Sequence, residues 1–232
     1  MYNIFGCQIM SNCKEIIKKF YFKFNVFAML VVAALYFGKL WLYRATCRIN
    51  TDYHIINMKI DELIPLCKYF VFFYFTYYWF STLQLWIISF FDKKKFYRLI
   101  IAIAVACIIS NIIFLCYQVK MIRPEVVGDD FFSRWVRWIY RRDPRALNCF
   151  PSIHAVVGVA MIIGGWKTGK MPKWLTIVSI IFGVGCILST VFIKQHYFID
   201  MVAGTILIII VYPLVIYFEK LILKRKEQKN KI

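Results

Sequence analysis

Three polar clusters interrupt a strongly apolar sequence, and their residue types suit attack on phosphorus. They are Arg123-Pro124, then Pro151-Ser152-Ile153-His154, then Ser189-Thr190 with Lys194, His196 and Asp200. The chain has only 3 histidines, and two of them fall in these clusters. His196 and Asp200 are four residues apart, so on a helix they share a face and the carboxylate can orient the imidazole. A neutral His196 can act as nucleophile and carry a phosphoryl group on nitrogen, with Asp200 fixing its tautomer and stabilising the developing positive charge. Protonated His154 can donate to the departing oxygen and later accept a proton from water. Arg123 offers a planar fork to two phosphate oxygens, Lys194 a point charge, and Ser152 a hydroxyl beside the free amides of a helix start. Each piece also has a plainer reading: Pro-Ser is an ordinary N-cap, and a lone histidine is more often a hydrogen-bonded structural residue. Asp200 weighs against the plain reading, because an ionisable group just inside an apolar span is costly and marks function by default.

The elements that position these residues follow from composition. Hydrophobic residues make up 61% of 232 and charged residues 18%, against about 45–50% and 25% in soluble domains. Apolar runs at about 24–43, 63–91, 96–119, 152–168, 174–193 and 197–218 predict an all-α polytopic membrane protein with about six transmembrane helices. This excludes a soluble secreted enzyme, a disordered regulator and a nucleic-acid-binding domain. The net charge of +18 fits loops facing anionic lipid, with no nucleic acid partner. Lys39 and Lys68 read as span-end lysines that snorkel to headgroups.

Counting spans, the three clusters all reach the same membrane face, whichever way the chain is oriented. Basic residues concentrate on the other side: Lys14, Lys18, Lys19 and Lys23, the loop from Lys93 to Arg98, Lys167 to Lys173, and the end from Lys220. That side is read as cytoplasmic, with both termini in it and the active face outside, in a protein of the plasma membrane. The N-terminus reads as a signal anchor. The chain divides into an N-terminal membrane segment (1–95), a catalytic core (96–219) and a basic tail (220–232). Within the loop 120–151, FFSRWVRWIYRR (131–142) predicts a short helix lying flat in the interface, either an anchor or a lipid-headgroup gate. The 8 cysteines form no C-x-x-C pair and no carboxylates cluster, so neither metal nor cofactor is expected. His54, in a loop with Asp52 and Asp61, reads as ordinary surface polarity.

Arg123-Pro124, PSIH (151–154) and Ser189-Thr190-x5-His196-x3-Asp200 together resemble the three-part signature of the type 2 phosphatidic acid phosphatase superfamily, over roughly residues 96–218. The resemblance implies a six-helix membrane core and metal-independent phosphohistidine chemistry. It assigns His196 as nucleophile, His154 as acid, Asp200 as orienting acid, and Arg123 and Ser152 as phosphate contacts. Three positions depart from the family pattern. Its Lys falls at Cys116, so that contact is either missing or supplied by nearby Lys120; its Gly is Ile153; its Arg falls at Thr190, and Lys194, four residues later, could supply the lost charge. The stretches FPSIHAVVGVA and STVFIKQHYFIDMVAG resemble the branch of inositol phosphotransferases and inositol phosphorylceramide synthases. The expected function is hydrolysis of a lipid phosphate, of phosphatidic acid or polyprenyl phosphate type. Phosphoryl transfer to an alcohol is the alternative, and a non-catalytic transporter or scaffold the rival from another class.

Overall fold

The computed structural model describes residues 26–49, 52–169 and 171–230. Its elements are α1 (Val26–Ile49), α2 (Lys59–Leu63), a 3-10 turn (Lys68–Phe70), α3 (Val71–Phe91), α4 (Lys93–Cys116), α5 (Phe131–Arg142), α6 (Ile153–Gly165), α7 (Lys173–Phe192) and α8 (Phe198–Lys229). Among the described residues there is no strand, only an isolated bridge between His54 and Val119. Lys14, Lys18, Lys19, Lys23 and Lys170 lie outside the described residues, as does the part of the expected signal anchor that precedes Val26.

Among the described residues, four helices are long and apolar enough to cross a membrane: Phe27–Ile49 within α1, then α4, α7 and α8. The all-α membrane architecture therefore stands, while six full spans do not emerge. The helix α3 has 21 residues, a spanning length, but its Tyr, Ser, Thr and Gln side chains lower its mean hydropathy. With 13 residues, α6 reaches only about 20 Å. It is apolar on every side and buried from Ala155 to Met161 except for graded exposure at its edges, as a helix wrapped in protein must be. It nevertheless runs from one end of the bundle to the other. Its first turn lies against the start of α8, where the Ser152 amide donates to the Asp200 carbonyl at 3.0 Å. Beyond its last turn, the Trp166 carbonyl accepts from Lys95 Nζ at the start of α4.

Close approach of α6 to its neighbours depends on small residues. A Cβ on Gly183 of α7 would stand 2.6 Å from the Gly158 carbonyl oxygen, and one on Gly204 of α8 would stand 2.2 Å from that of Ser152. Such backbone contact is how helices associate where lipid provides no hydrophobic drive. Polar side chains add ties. Gln84 of α3 donates to the Met161 carbonyl at 2.7 Å. Asn148 donates to Thr46 of α1 at 2.8 Å and accepts from Gln118 at 2.8 Å.

Several expectations need correction. The apolar run 63–91 is broken after Leu63, because Pro65 disfavours helical geometry in the residue before it, and α3 begins only at Val71. Lys68 does not snorkel; it pairs with Asp130 at 2.5 Å and holds that carboxyl well below the usual range. Lys39 is no span-end residue either, lying deep within α1 and buried. Asp61 is also buried, its carboxylate accepting from the amides of Met58 and Phe198. The stretch after Lys220 continues α8 as an exposed helix to Lys229.

The short helix expected over 131–142 forms as α5. Asp130 caps it by accepting from the amides of Phe132 and Ser133, and Val136 and Ile139 pack into a cluster with Val71 and Ile193. Trp135 and Trp138 meet Phe75 edge-on. The docking of α6 on α8 has a direct test. Gly204→Ala should push the two helix starts apart and destabilise the protein by about 1–3 kcal/mol, read as a lower Tm in detergent; an unchanged Tm would remove the claim that this contact is tight.

Candidate active site

The C-terminal turn of α7 and the first turn of α8 shape the site. The Thr190 carbonyl accepts from the amides of Gln195 (2.9 Å) and His196 (3.0 Å), folding the chain back before Tyr197. Lys194 takes a left-handed backbone there, φ 51°. Tyr197 caps α8, and fully buried Asp200 accepts from its amide at 2.8 Å. Asp61 accepts from the next amide, Phe198, at 2.7 Å. Two carboxylates thus sit at one helix N-terminus, where orphan amides and the helix dipole favour them.

His196 Nδ1 lies 2.9 Å from the Cys149 carbonyl oxygen and 3.6 Å from Asp200 Oδ2. A carbonyl can only accept, so Nδ1 carries the proton and Nε2 presents its lone pair. That Nε2 is 3.3 Å from His154 Nδ1, which must then be the donor between them. The structure thus brings His154, His196 and Asp200 into one group. The His154 ring stacks on Tyr74 (centroids 4.5 Å apart) and packs against Tyr77 (4.6 Å). Its Nε2 is buried without a hydrogen-bond partner. Both histidines line a cavity of about 920 Å³ between α1, α3, α5 and the loop 143–149. Four arginines, Arg44, Arg48, Arg142 and Arg145, also line it, giving a field that attracts anions.

The remaining expected residues are differently placed. Arg123 reaches the wall behind Gln195, where its two terminal nitrogens are taken up by neighbours while its buried Nε has no partner. It donates to Asp143 Oδ2 at 2.8 Å, to the Asp143 carbonyl at 2.5 Å and to Gln195 Oε1 at 2.6 Å. Ser152 is buried, and its hydroxyl accepts from the Ala155 amide at 3.3 Å as the N-cap of α6. Lys194 does not enter the cavity: Nζ donates to the carbonyls of Asp61 (2.7 Å) and Ile64 (2.5 Å) at the end of α2, and burial pulls its ammonium pKa down. Lys120 sits over the Tyr53 ring at 4.4 Å, outside the cavity lining. Neither lysine replaces the family cations at Cys116 and Thr190, because unpaired carbonyls and an aromatic face hold them elsewhere.

Sequence reasoning passed over Lys39, Tyr74, Tyr77, Tyr78, Asp143 and Gln195. The tyrosine signal was legible, since the spacing 74, 77, 78 puts three phenols on one helix face. Lys39 gave only the signal of a cation within an apolar run. Ligand atoms of Cys149, His196 and Asp200 lie within 4.8 Å of one another, close enough for a metal. Burial and the Asp200 carboxylate push the Cys149 thiol well up, however, and its Sγ is directed at the carbonyls of Ala146 (3.3 Å) and Gln195 (3.7 Å). A protonated thiol donating to carbonyls is a structural bond, not a thiolate ligand.

The model of the PAP2 superfamily matches residues 95–222, more than half of the 232-residue chain. No curated protein and no solved structure matches it. One placement can be tested independently of any substrate. Lys194→Ala should lower stability by about 1–2 kcal/mol through two lost carbonyl bonds, measured as Tm in detergent. Turnover by the folded fraction should stay within a few-fold of the parent; a large loss of turnover at unchanged Tm would return Lys194 to the cavity.

Proposed function

The chain belongs to the PAP2 superfamily, and on that premise we propose that it is a metal-independent membrane phosphatase acting on a lipid phosphate through phosphohistidine. Superfamily members are in general phosphoric ester hydrolases and phosphotransferases, and the apolar helices make this chain an integral membrane protein. The observation that carries the reading is the orientation of His196, whose Nδ1 is tied back to the Cys149 carbonyl while Nε2 faces His154.

Nε2 attacks phosphorus, the phosphorus–oxygen ester bond breaks, and protonated His154 gives its proton to the departing oxygen. The positive charge on the phosphorylated imidazole is offset by the buried Asp200 carboxylate. His154, now neutral, takes a proton from water as that water attacks phosphorus; the phosphorus–nitrogen bond breaks and phosphate leaves. The resting contact of 3.3 Å between the rings leaves no room for a phosphoryl group, so substrate entry must part them.

The cavity is larger than a phosphoryl group needs, at about 920 Å³, which supports a bulky lipid headgroup or an alcohol held beside the histidines. Transfer to such an acceptor, in the manner of inositol phosphorylceramide synthases, is the second reading. An outward-facing site in the plasma membrane, with both termini cytoplasmic, is part of the same proposal. Its support is charge: Lys95, Arg98 and Lys173 lie at the bundle end remote from the histidines, and basic residues favour the cytoplasmic side.

Phosphate release from phosphatidic acid and polyprenyl phosphate, with and without inositol or ceramide, distinguishes hydrolysis from transfer. His196→Ala should lower kcat at least about a thousandfold. His154→Ala should lower it about 10²–10⁴-fold, least for substrates with good leaving groups. Full turnover in either variant would sink the mechanism. Activity should persist in excess chelator, and strict dependence on added magnesium would point to a different chemistry.

A further inference from the structure

Among the described residues, Lys39 is the one lysine lining the cavity that holds the histidines. It is 7% exposed, and its Nζ has no hydrogen-bond partner. What surrounds it is aromatic: the ring centroid of Tyr36 lies 4.3 Å from Nζ, and those of Tyr77 and Tyr78 both lie 5.4 Å away. The same two α3 tyrosines pack on His154, at 4.6 and 6.1 Å between centroids. Tyr77 and Tyr78 thus touch both Lys39 and His154, and no carboxylate pairs with Lys39 among the described residues.

A buried ammonium facing a histidine that must itself become cationic is an arrangement with a missing anion. Ring faces offset part of the desolvation, but they accept no hydrogen bond, and a cation inside the bundle without a counter-ion is costly. Arg44, Arg48, Arg142 and Arg145 share the lining with Lys39, whereas the cations of the C-terminal motifs are drawn to other groups. Arg123 is held by Asp143 and Gln195, Lys194 by carbonyls, and Lys120 lies over Tyr53. Unpartnered donors also fit a ligand with several acceptor oxygens better than a neutral one.

We propose that Lys39 of α1, backed by Tyr36, Tyr77 and Tyr78, is the phosphoryl-oxygen contact of this site and receives the phosphate monoester group of the substrate beside His154. The proposal rests on the phosphoryl-transfer reading and deepens it, moving the cation of the phosphate cradle from the C-terminal motifs to the first described helix. Occupancy by the phosphoryl group supplies the missing counter-ion, and in the transition state the ammonium opposes charge spread over the equatorial oxygens.

The test uses the full chain in detergent or nanodiscs, with inorganic phosphate as probe and thermal unfolding as readout, beside turnover of a lipid phosphate. Wild type should gain Tm with rising phosphate. Lys39→Met should weaken the apparent phosphate affinity at least about tenfold, Lys39→Arg should restore it to within a few-fold, and His196→Ala should retain it. Without phosphate, Lys39→Met should unfold at the same temperature as wild type or higher, since an unpaired buried charge has been removed. A lysine needed only for its ring contacts would instead lower that Tm and leave the phosphate response intact, which overturns the proposal. A wild-type chain blind to phosphate also overturns it. Should Lys39→Met not fold, Lys39→Gln carries the same comparison. Lys39-dependent phosphate binding in a chain that hydrolyses and transfers nothing would keep the subsite and overturn the phosphatase reading.

Discussion

The histidine pair exists because the start of α6 lies against the first turn of α8. A single buried residue, Asp200, links the parts of that contact. Its carbonyl accepts from the Ser152 amide, its carboxylate caps α8 through the Tyr197 amide, and the same Oδ2 lies 3.6 Å from His196 Nδ1. Burying a carboxylate is expensive unless amides and a helix dipole compensate. Gly204 supplies the remaining condition, an absent side chain where a Cβ would strike the Ser152 carbonyl. The orientation of one imidazole and the docking of two helices are therefore one event.

Around that contact, cations serve as ties before any serves as a ligand. Arg137 holds the carbonyls of Val126 and Gly128 together with Asp129. Arg123 clamps Asp143 and Gln195, and Arg145 donates to the Cys47 carbonyl at 2.9 Å. Together with the small buried cluster of Val119, Met121, Ala146 and Cys149, these bonds make the long connection 117–151, which carries α5, into a fixed wall. A wall built this way can present the Cys149 carbonyl accurately to His196, because a few guanidinium forks satisfy many loose backbone acceptors. The excess of basic residues at this end has that structural reason. What remains for a ligand is the basic lining and the ammonium of Lys39.

Much of this was legible in linear order. Parity of the apolar runs put Arg123, His154 and His196 on one face, and the bond between the two rings depends on it. The alternation of aromatics and arginines over 131–142 marked α5 with its ends, because amphipathicity is a local property. The i,i+4 spacing of His196 and Asp200 placed them on one face even though α8 begins only at Phe198. Lys39 and Lys68 passed for snorkelling residues and Lys194 for a phosphate ligand, because hydropathy shows neither how far a helix runs past its apolar stretch nor which groups of other segments lie beside a lysine.

Composition, run lengths and motif spacing by themselves determined an all-α membrane protein with two histidines and an aspartate at one end, since burial in lipid and helical periodicity act within a segment. Tertiary structure alone decided which polar groups face each other. It turned His196 Nε2 toward His154, spent Arg123, Lys120 and Lys194 on neighbouring groups, and aimed Lys39 into the cavity. Such partnerships depend on the rotation and register of helices distant in the chain, and these are set by packing contacts between segments that no single segment encodes.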